Sequence, residues 1–249
     1  MRKQRVRGLF VSGTDTGVGK TVVAGALAAW CRMRGLDVGI MKPVATGGGP
    51  CRSGRLVSRD AVLLAAAAGQ HDAWSLVNPV CFAEPLAPLI AAERAGRRVN
   101  LARVLSAYRR LLTRHNGVIV EGIGGLLVPL TARDTVLTLV KRMGLPLLLV
   151  ARPALGTLNH TLLSLETARR AKVPLAGIIV NAAGRPSQNA AGRLAERTNP
   201  DALRRLSGVT VFGPLPYAPR IGQAGAARQA AWLEQALGRA ALRRLFHLE

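Results

Sequence analysis

The residues best suited to chemistry lie in one glycine-rich stretch near the start of the sequence. Residues 13–21 read Gly-Thr-Asp-Thr-Gly-Val-Gly-Lys-Thr and follow a short apolar run that ends at Ser12. At a strand-to-helix junction, such a stretch surrounds a phosphate group with backbone N–H groups. Its lysine then neutralises the β- and γ-phosphates, and its threonine ligates Mg²⁺. The predicted phosphate loop comprises Gly13, Thr14, Asp15, Thr16, Gly17, Val18, Gly19, Lys20 and Thr21.

Three further charged residues stand where a strand ends or a helix begins. Lys42 and Glu121 each follow an apolar run, and Asp60 opens a helix-forming stretch. Because ligands of parallel sheets bind beyond the carboxyl ends of the strands, we expect Lys42 to face the phosphates and Glu121 to be directed at Mg²⁺. The open alternatives are a solvated lysine for Lys42 and a helix-capping or first-turn acid for Asp60. The chain has only 13 acidic residues, a scarcity that favours Asp15, Asp60 and Glu121 as metal ligands.

Strand and helix patterns alternate along the chain and position these residues. Buried runs rich in Val, Ile and Leu predict a mostly parallel sheet with helices on both faces, which is an α/β phosphate-loop NTPase fold. No repeat or low-complexity linker divides the chain, so a single domain over residues 1–249 is expected. The predicted strands are 9–12, 37–45, 117–120, 147–150, 176–181 and 209–212, and the predicted helices are 20–34, 61–69, 101–114, 136–143, 161–171 and 224–249.

Two stretches have the composition of irregular loops. Residues 47–54 are rich in glycine, which predicts a flexible loop. Residues 78–93 contain three prolines, which argue against regular structure over most of that length. We interpret the second stretch as a shaped loop over the site.

The composition and the first residues bear on where in the cell the protein is expected. The chain is 49% hydrophobic, without an uninterrupted apolar run of transmembrane length, and its basic first residues lead directly into the first strand. These features predict neither a membrane span nor a cleaved signal. Cys31, Cys51 and Cys81 are odd in number and lack metal-ligand spacing, so reduced thiols in a cytoplasmic protein are expected.

The formal charge of +22 raises the alternative of a nucleic-acid or membrane partner. However, 30 of the 35 basic residues are arginines scattered along the chain, and only two tyrosines are available for stacking on bases. We therefore expect no specific nucleic-acid partner and no membrane partner. A diffuse positive field favours small anionic substrates.

Taken in order, the motifs resemble the dethiobiotin synthetase family. The resemblance covers about residues 8–217 and depends on the whole series rather than on one motif. The loop at residues 13–21 has the extra residue of the family's loop. The other matching motifs are Lys42-Pro43-Val44-Ala45-Thr46-Gly47, Asn78-Pro79, Phe82-Ala83-Glu84-Pro85, Val120-Glu121-Gly122-Ile123-Gly124-Gly125, Leu155-Gly156-Thr157-Leu158-Asn159-His160 and Val180-Asn181.

The resemblance implies an enzyme that uses ATP and Mg²⁺ to join CO2 to 7,8-diaminopelargonic acid in biotin biosynthesis. By resemblance, Lys20 and Lys42 stabilise the transferring phosphoryl group, while Thr16 and Thr46 hold carbamate and phosphates. Also by resemblance, Mg²⁺ is held by Thr21, Asp60 and Glu121, and the nucleotide also contacts Gly122, Gly124, Asn181, Leu215, Pro216 and Tyr217.

The resemblance further implies a homodimer with the substrate site at its interface. Residues 155–159 follow a strand and open a helix, so their backbone N–H groups are expected to bind an anion. Gly156, Leu158 and Asn159 would hold the carboxylate of the substrate's tail across the interface. An ordinary strand-to-helix turn is the open alternative, and His160 is as easily a structural residue as a ligand.

Two positions depart from the family pattern. Some members carry Glu at the position of Gly17, and many carry His at the position of Leu89. A different class, the chromosome-partitioning ATPases that bind DNA or membranes, is the alternative function. Their loop normally has an additional lysine near its start, where this chain has Gly13-Thr14-Asp15. The related corrinoid amidotransferases carry a glutaminase domain for which this chain lacks the length.

Overall fold

The computed structural model describes residues 8–51 and 53–246. This part of the chain contains ten strands and ten helices, with a short 3-10 turn at Ile221–Gln223. The strands are β1 Leu9–Gly13, β2 Gly39–Met41, β3 Val44–Ala45, β4 Gly49–Pro50, β5 Leu56–Val57, β6 Val80–Cys81, β7 Val118–Glu121, β8 Leu147–Ala151, β9 Leu175–Asn181 and β10 Val211–Leu215. The helices are α1 Lys20–Met33, α2 Arg59–Ala68, α3 Trp74–Val77, α4 Pro88–Arg94, α5 Leu101–Leu112, α6 Val136–Met143, α7 Thr157–Arg170, α8 Ala190–Leu206, α9 Ala226–Leu237 and α10 Arg239–Leu245.

Six strands form one parallel sheet in the order β10-β9-β8-β1-β7-β2. This arrangement confirms the predicted α/β fold with a parallel sheet. Val11 of β1 pairs with Glu121 of β7, and Met41 of β2 pairs with Val120. The carboxyl ends of β1, β7 and β2 therefore lie side by side, which brings the phosphate loop, Glu121 and Lys42 to one edge of the sheet.

Helices cover both faces of the sheet, and each face has its own core. On one face α1, α2, α9 and α10 pack over Leu9 and Val11 of β1. On the other face α4, α5, α6 and α7 pack over Phe10 of the same strand. Side chains alternate across a strand, so every strand of a parallel sheet covered on both faces must be apolar in both directions. This explains the continuous hydrophobic runs in the sequence.

The predicted second strand, 37–45, is wrong in its extent. The sheet strand β2 ends at Met41, and Val44–Ala45 pairs instead with β6 in a separate two-stranded sheet. Pro43 has no backbone N–H to donate, and the N–H of Lys42 donates to the carbonyl of Val77, 2.7 Å away. Lys42 therefore stands at the carboxyl end of β2 and not inside a longer strand.

Both stretches predicted to be irregular contain regular structure. Residues 78–93 include β6 and helix α4, which begins at Pro88 because the first helical position needs no backbone donor. Within 47–54, Gly49–Pro50 pairs with Leu56–Val57 as a short antiparallel hairpin. No helix was predicted where α8 lies, and its interior contains Pro200. The predicted start of α7 is four residues too late.

The C-terminal helices α9 and α10 pack against α1, the helix that follows the phosphate loop. The rings of Trp30 in α1 and Phe246 stack with their centroids 5.9 Å apart. Glu234 of α9 accepts hydrogen bonds from Trp30 Nε1, Arg34 and Arg239. Burial would raise the pKa of Glu234, but these hydrogen bonds outweigh that effect and lower it to about 2. In the described ranges, no helix combines the length and apolar character needed to cross a bilayer.

Candidate active site

A cavity of about 630 Å³ opens at the carboxyl edge of the sheet, where β1, β2 and β7 end. It extends from the phosphate loop to the segment that follows β10. Most of the predicted site residues line it, although they come from distant parts of the sequence. These are Thr16, Gly17, Gly19, Lys20, Thr21, Lys42, Thr46, Asp60, Glu121, Gly124, Asn181, Pro216 and Tyr217.

The phosphate loop joins β1 to α1 through a left-handed residue. Gly19 caps the start of α1 at φ 89, a conformation that favours glycine because other residues meet steric conflict there. A side chain at this position would also collide with Asn181, whose Nδ2 would lie 2.2 Å from an added Cβ. No side chain caps α1, so its first N–H groups remain directed at the cavity edge. Lys20 folds back over the loop, and its Nζ donates to the carbonyl of Asp15 at 2.9 Å.

Three charged side chains meet beside this loop. Lys42 Nζ lies 2.6 Å from Glu121 Oε1 and 2.8 Å from Asp60 Oδ2. It also donates to the carbonyl of Gly122 at 3.1 Å, and Thr21 Oγ1 donates to Glu121 Oε1 at 2.9 Å. The structure thus pairs Lys42 with the two carboxylates and excludes the alternative of a solvated lysine. Ser58 caps α2, and Asp60 lies in the first turn of that helix, where its carboxylate pairs with Lys42.

Burial and neighbouring charge set the pKa values of the two lysines in opposite directions. Burial and the positive charge of Lys42 lower the pKa of Lys20 to about 8, although Glu121 and Asp60 oppose this. Burial would lower the pKa of Lys42 too, but the adjacent Glu121 and Asp60 outweigh it and raise that pKa. Lys42 is therefore a permanent cation at neutral pH, whereas Lys20 is close to titrating.

The carboxylates respond to the same charges. Burial would raise the pKa of Asp60, yet the charge of Lys42 outweighs it and holds this pKa below its usual value. Burial raises the pKa of the Glu121 carboxyl, and Lys42 opposes that rise. The Lys42 ammonium, 2.6 Å away, favours the ionised form of Glu121.

The donor set fits a hard divalent cation. Glu121 Oε2 is buried and has no hydrogen-bond partner, an arrangement that is costly unless a ligand satisfies the atom. Across the described ranges, no cluster of three or more His, Cys, Asp or Glu side chains could hold a metal. Mg²⁺ does not need such a cluster, because it takes one or two carboxylates together with phosphate oxygens and waters. Asp60 and Glu121, with the Thr21 hydroxyl, are suitable ligands.

Residues that follow β9 and β10 form the other end of the cavity. Asn181, the last residue of β9, donates from Nδ2 to the carbonyl of Val18 at 3.0 Å and so ties the phosphate loop to the sheet. Pro216 and Tyr217 line the cavity nearby, together with Ile221 and Trp232. This end is lined mostly by apolar side chains.

Several predicted site residues do not line the cavity. Val18 and Leu215 lie in the core, and Gly13 lies beneath the loop. The carbonyl of Gly122 accepts a hydrogen bond from Lys42. Thr14 and Asp15 border a separate, smaller recess with Arg152, Thr157 and His160. The residues that stand outside the main cavity are Gly13, Thr14, Asp15, Val18, Gly122, Gly156, Leu158, Asn159 and Leu215.

The predicted tail-binding stretch adjoins the smaller recess. Gly156 caps α7 in a left-handed conformation without a side-chain cap, so Leu158 and Asn159 belong to the first turn of the helix. Leu155 is 83% exposed. Leu158 is half-buried and packs in part against the core of its own chain.

Two features of the site were not predicted from the sequence. Trp232 reaches the cavity from α9, a helix in which the sequence indicated no chemistry. Leu86 and Ala87 cover the site from the loop before α4, which the three prolines indicated only in general terms. Aromatic residues are rare in this chain, at 4%, and that rarity is the one signal that could have drawn attention to Trp232.

The parallel sheet and the lysine-bearing loop at its edge define a phosphate-loop nucleotide-binding protein. In agreement, a family model described as an AAA domain matches residues 7–224. Solved structures of low sequence identity share the fold. The cell division ATPase MinD of Pyrococcus furiosus superposes with a TM-score of 0.53 at 17% identity, covering 97% of both chains.

Curated relatives narrow the class. The ATP-dependent dethiobiotin synthetase BioD of Anaeromyxobacter dehalogenans (strain 2CP-C) is 46% identical over 221 residues, which cover 88% of this chain and 93% of that protein. The protein of the same name from Thermodesulfovibrio yellowstonii is 40% identical over 219 residues, covering 84% and 88%. The chain therefore belongs to the dethiobiotin synthetase family, as the series of motifs predicted.

Proposed function

We propose that this protein uses ATP to close the ring of dethiobiotin from 7,8-diaminopelargonic acid and CO2. One amine of the substrate adds to CO2 to give a carbamate, and a carbamate oxygen attacks the γ-phosphate of ATP, releasing ADP. The second amine then attacks the carbonyl carbon and expels phosphate, which closes the cyclic urea. The observation that carries this proposal is the buried Lys42 cation placed between Asp60 and Glu121 beside the phosphate loop.

Such a reaction needs position and charge neutralisation more than a protein nucleophile. Lys20, in the phosphate loop, and Lys42, beside it, supply two cations that would stabilise the negative charge of the transferring phosphoryl group. Thr16 and Thr46 both line the cavity and offer hydroxyl donors to carbamate and phosphate oxygens. The catalytic residues in this proposal are Lys20, Lys42 and Thr16.

Thr21, Asp60 and Glu121 would hold Mg²⁺, which supplies charge neutralisation for the β- and γ-phosphates when bound. The phosphate loop, with Gly122 and Gly124 behind it, would hold the phosphates of ATP. The base would lie at the apolar end of the cavity, beside Asn181, Pro216 and Tyr217 and above the buried Leu215.

The tail of the substrate would reach a second site at the start of α7. Its carboxylate lies roughly 10 Å from the amines in an extended chain, too far to share the phosphate pocket. The uncapped N–H groups near Gly156, Leu158 and Asn159 suit an anion. In this proposal the protein is a homodimer, and each tail site belongs to the neighbouring subunit. We also place it in the cytoplasm, since the three cysteines are free thiols.

ADP release tests the proposed reaction. The purified protein should release ADP and form dethiobiotin only when diaminopelargonic acid, bicarbonate, ATP and Mg²⁺ are all present. Omitting each component in turn supplies the controls. ADP release that is independent of the diamine would contradict the proposal and point to an ATPase of another kind.

A nucleotide-switched partitioning ATPase is the second candidate, and the charge of +22 is the observation that favours it. The two candidates differ in DNA binding. We expect only weak DNA binding that ignores sequence and ATP and disappears steeply as salt is added. Binding that requires ATP and persists at about 0.2 M salt would support the partitioning function instead.

A further inference from the structure

Asn78 joins two backbone segments that carry opposite charges of the candidate active site. Its side chain is fully buried, and it lies 36 residues from Lys42 and 20 residues from Ser58 in sequence. The Oδ1 atom accepts from the N–H of Ser58 at 3.0 Å. The Nδ2 group donates to the carbonyl of Lys42 at 2.8 Å and to that of Val80 at 3.2 Å. One amide thus satisfies three backbone groups from three separate segments.

Each segment carries one member of the ion pair between Lys42 and Asp60. Ser58 caps α2 by accepting from the N–H of Ala61 at 3.2 Å, and Asp60 follows in the first turn of that helix. Lys42 follows β2, where Pro43 prevents the strand from continuing. The 2.8 Å contact between Lys42 Nζ and Asp60 Oδ2 therefore joins side chains whose backbones are linked through the Asn78 amide.

Few other backbone bonds hold Lys42. Lys42 has no ladder partner beyond Met41, so its backbone depends on its N–H bond to Val77 and its carbonyl bond to Asn78. Glu121, by contrast, lies within the central sheet through its register with Val11. Removing the Asn78 donors would free the Lys42 carbonyl while leaving Glu121 in place.

We infer that Asn78 is a positioning residue that fixes the Lys42 ammonium relative to Asp60 and, through it, relative to the γ-phosphate of bound ATP. The inference rests on the proposed function only in placing Lys42 next to that phosphate. Asn78 itself does not line the cavity, so it would act solely through the residues that it holds.

Nucleotide affinity in a double-mutant cycle tests this inference without the biotin substrates. The four proteins are the wild type, Asn78→Asp, Lys42→Ala and the double variant. Aspartate keeps the acceptor for Ser58 but removes both donors. Calorimetric titration with Mg²⁺-AMP-PNP and Mg²⁺-ADP separates contacts to the γ-phosphate from the rest of the site. Leu203→Ala, at a buried position of α8, is the control for a general loss of stability.

We expect Asn78→Asp to weaken AMP-PNP binding about 10-fold relative to ADP, and by less than about 2-fold once Lys42 is alanine. A through-space effect of the new carboxylate would persist without Lys42, and a general structural lesion would weaken both nucleotides alike. Either result would overturn the inference. If Asn78→Asp does not fold, the uncharged Asn78→Ser takes its place in the same cycle.

The two proposals fail separately. A wild-type protein that forms no dethiobiotin but shows the coupled cycle contradicts the proposed reaction and supports the role of Asn78. An active wild type with an uncoupled cycle supports the reaction and excludes Asn78 as a positioning residue.

Discussion

The Nζ atom of Lys42 lies 2.6 Å from Oε1 of Glu121, with the two side chains only 3% and 1% exposed. Asp60 contacts the same ammonium from a more exposed position. One cation thus serves two carboxylates, while Oε2 of Glu121 is buried without a hydrogen-bond partner. A buried oxygen without a partner is costly, so this atom is suited to bind a cation such as Mg²⁺.

Lys42→Ala should lower turnover about 100-fold or more, the effect of removing one preorganised charge from a desolvated site. It should also lower the melting temperature in Mg²⁺-free buffer, since Glu121 and Asp60 then lack their counter-charge. Added Mg²⁺ should raise the melting temperature of the variant more than that of the wild type. Calorimetry and steady-state ADP release measure the two effects.

Lys141→Ala is the matched control, because Lys141 is an exposed lysine near the end of α6. It should leave both turnover and the Mg²⁺ response unchanged. A near-normal rate for Lys42→Ala would remove Lys42 from the reaction.

Lys20 should give the pH profile a falling limb. Its pKa of about 8 means that the free enzyme loses this charge as the pH rises through 8, while Lys42, with its raised pKa, stays charged. The value of kcat/KM for ATP should therefore fall towards a tenfold decrease per pH unit above about pH 8. Lys20→Arg, if active, should lack this limb because arginine does not titrate in that range. A flat wild-type profile up to pH 9.5 would contradict this prediction.

A histidine outside the site should make stability depend on pH. His115 places Nδ1 2.7 Å from Asp37 and Nε2 2.7 Å from Asp72. Burial would lower the pKa of His115, but the hydrogen bonds to both aspartates outweigh this and raise it. A raised pKa means that this stabilisation is complete below the unfolded value of 6.5 and is lost as the pH rises through the folded value.

We expect His115→Gln to cost about 1.5–3 kcal/mol of unfolding free energy below pH 6.5, the range for hydrogen bonds to charged groups. The variant should also lose the decline in stability that the wild type shows on going to higher pH. Urea denaturation at a series of pH values measures both. An unchanged slope in the variant would show that His115 does not cause the pH dependence.

Local patterns predicted the parts of the site that the sheet itself positions. The strand-end rule located Lys42 and Glu121 because parallel strands bring their carboxyl ends together whatever the details of packing. The same patterns were insufficient for Asn78 and His115. Apart from the local bond of Asn78 to Val80, the partners of both residues lie at least 20 residues away in sequence, and only the folded chain brings them within hydrogen-bond distance.

Element boundaries depended on chemistry that composition does not reveal. Proline is excluded from a helix interior but favoured at its first position, so Pro88 begins α4 where the count of prolines argued against a helix. The contribution of α9 to the cavity could not be predicted either, because Trp232 reaches the cavity only through the packing of α9 on α1. Packing between distant helices follows from the tertiary structure and leaves little trace in a local window.

The last prediction concerns the tail site at the start of α7, where the chain of a second subunit would complete the active site. Asn159 is exposed in the first turn of this helix. Asn159→Glu should preserve the helix, because acidic residues suit its first turn, while repelling the substrate carboxylate. Lys20→Ala should inactivate the phosphate loop of its own chain. Each variant alone should therefore be nearly inactive.

Mixing the two variants decides whether the site is shared. If the tail site belongs to the neighbouring subunit, each mixed dimer has one site with both parts intact and one with both damaged. Random exchange makes half of the dimers mixed, so about a quarter of the wild-type activity should return. Analytical ultracentrifugation and recovery of differently tagged chains would verify dimerisation and exchange. If exchange is demonstrated and activity stays absent, both halves of the site lie within one chain, since a shared site requires every mixed dimer to contain one intact copy.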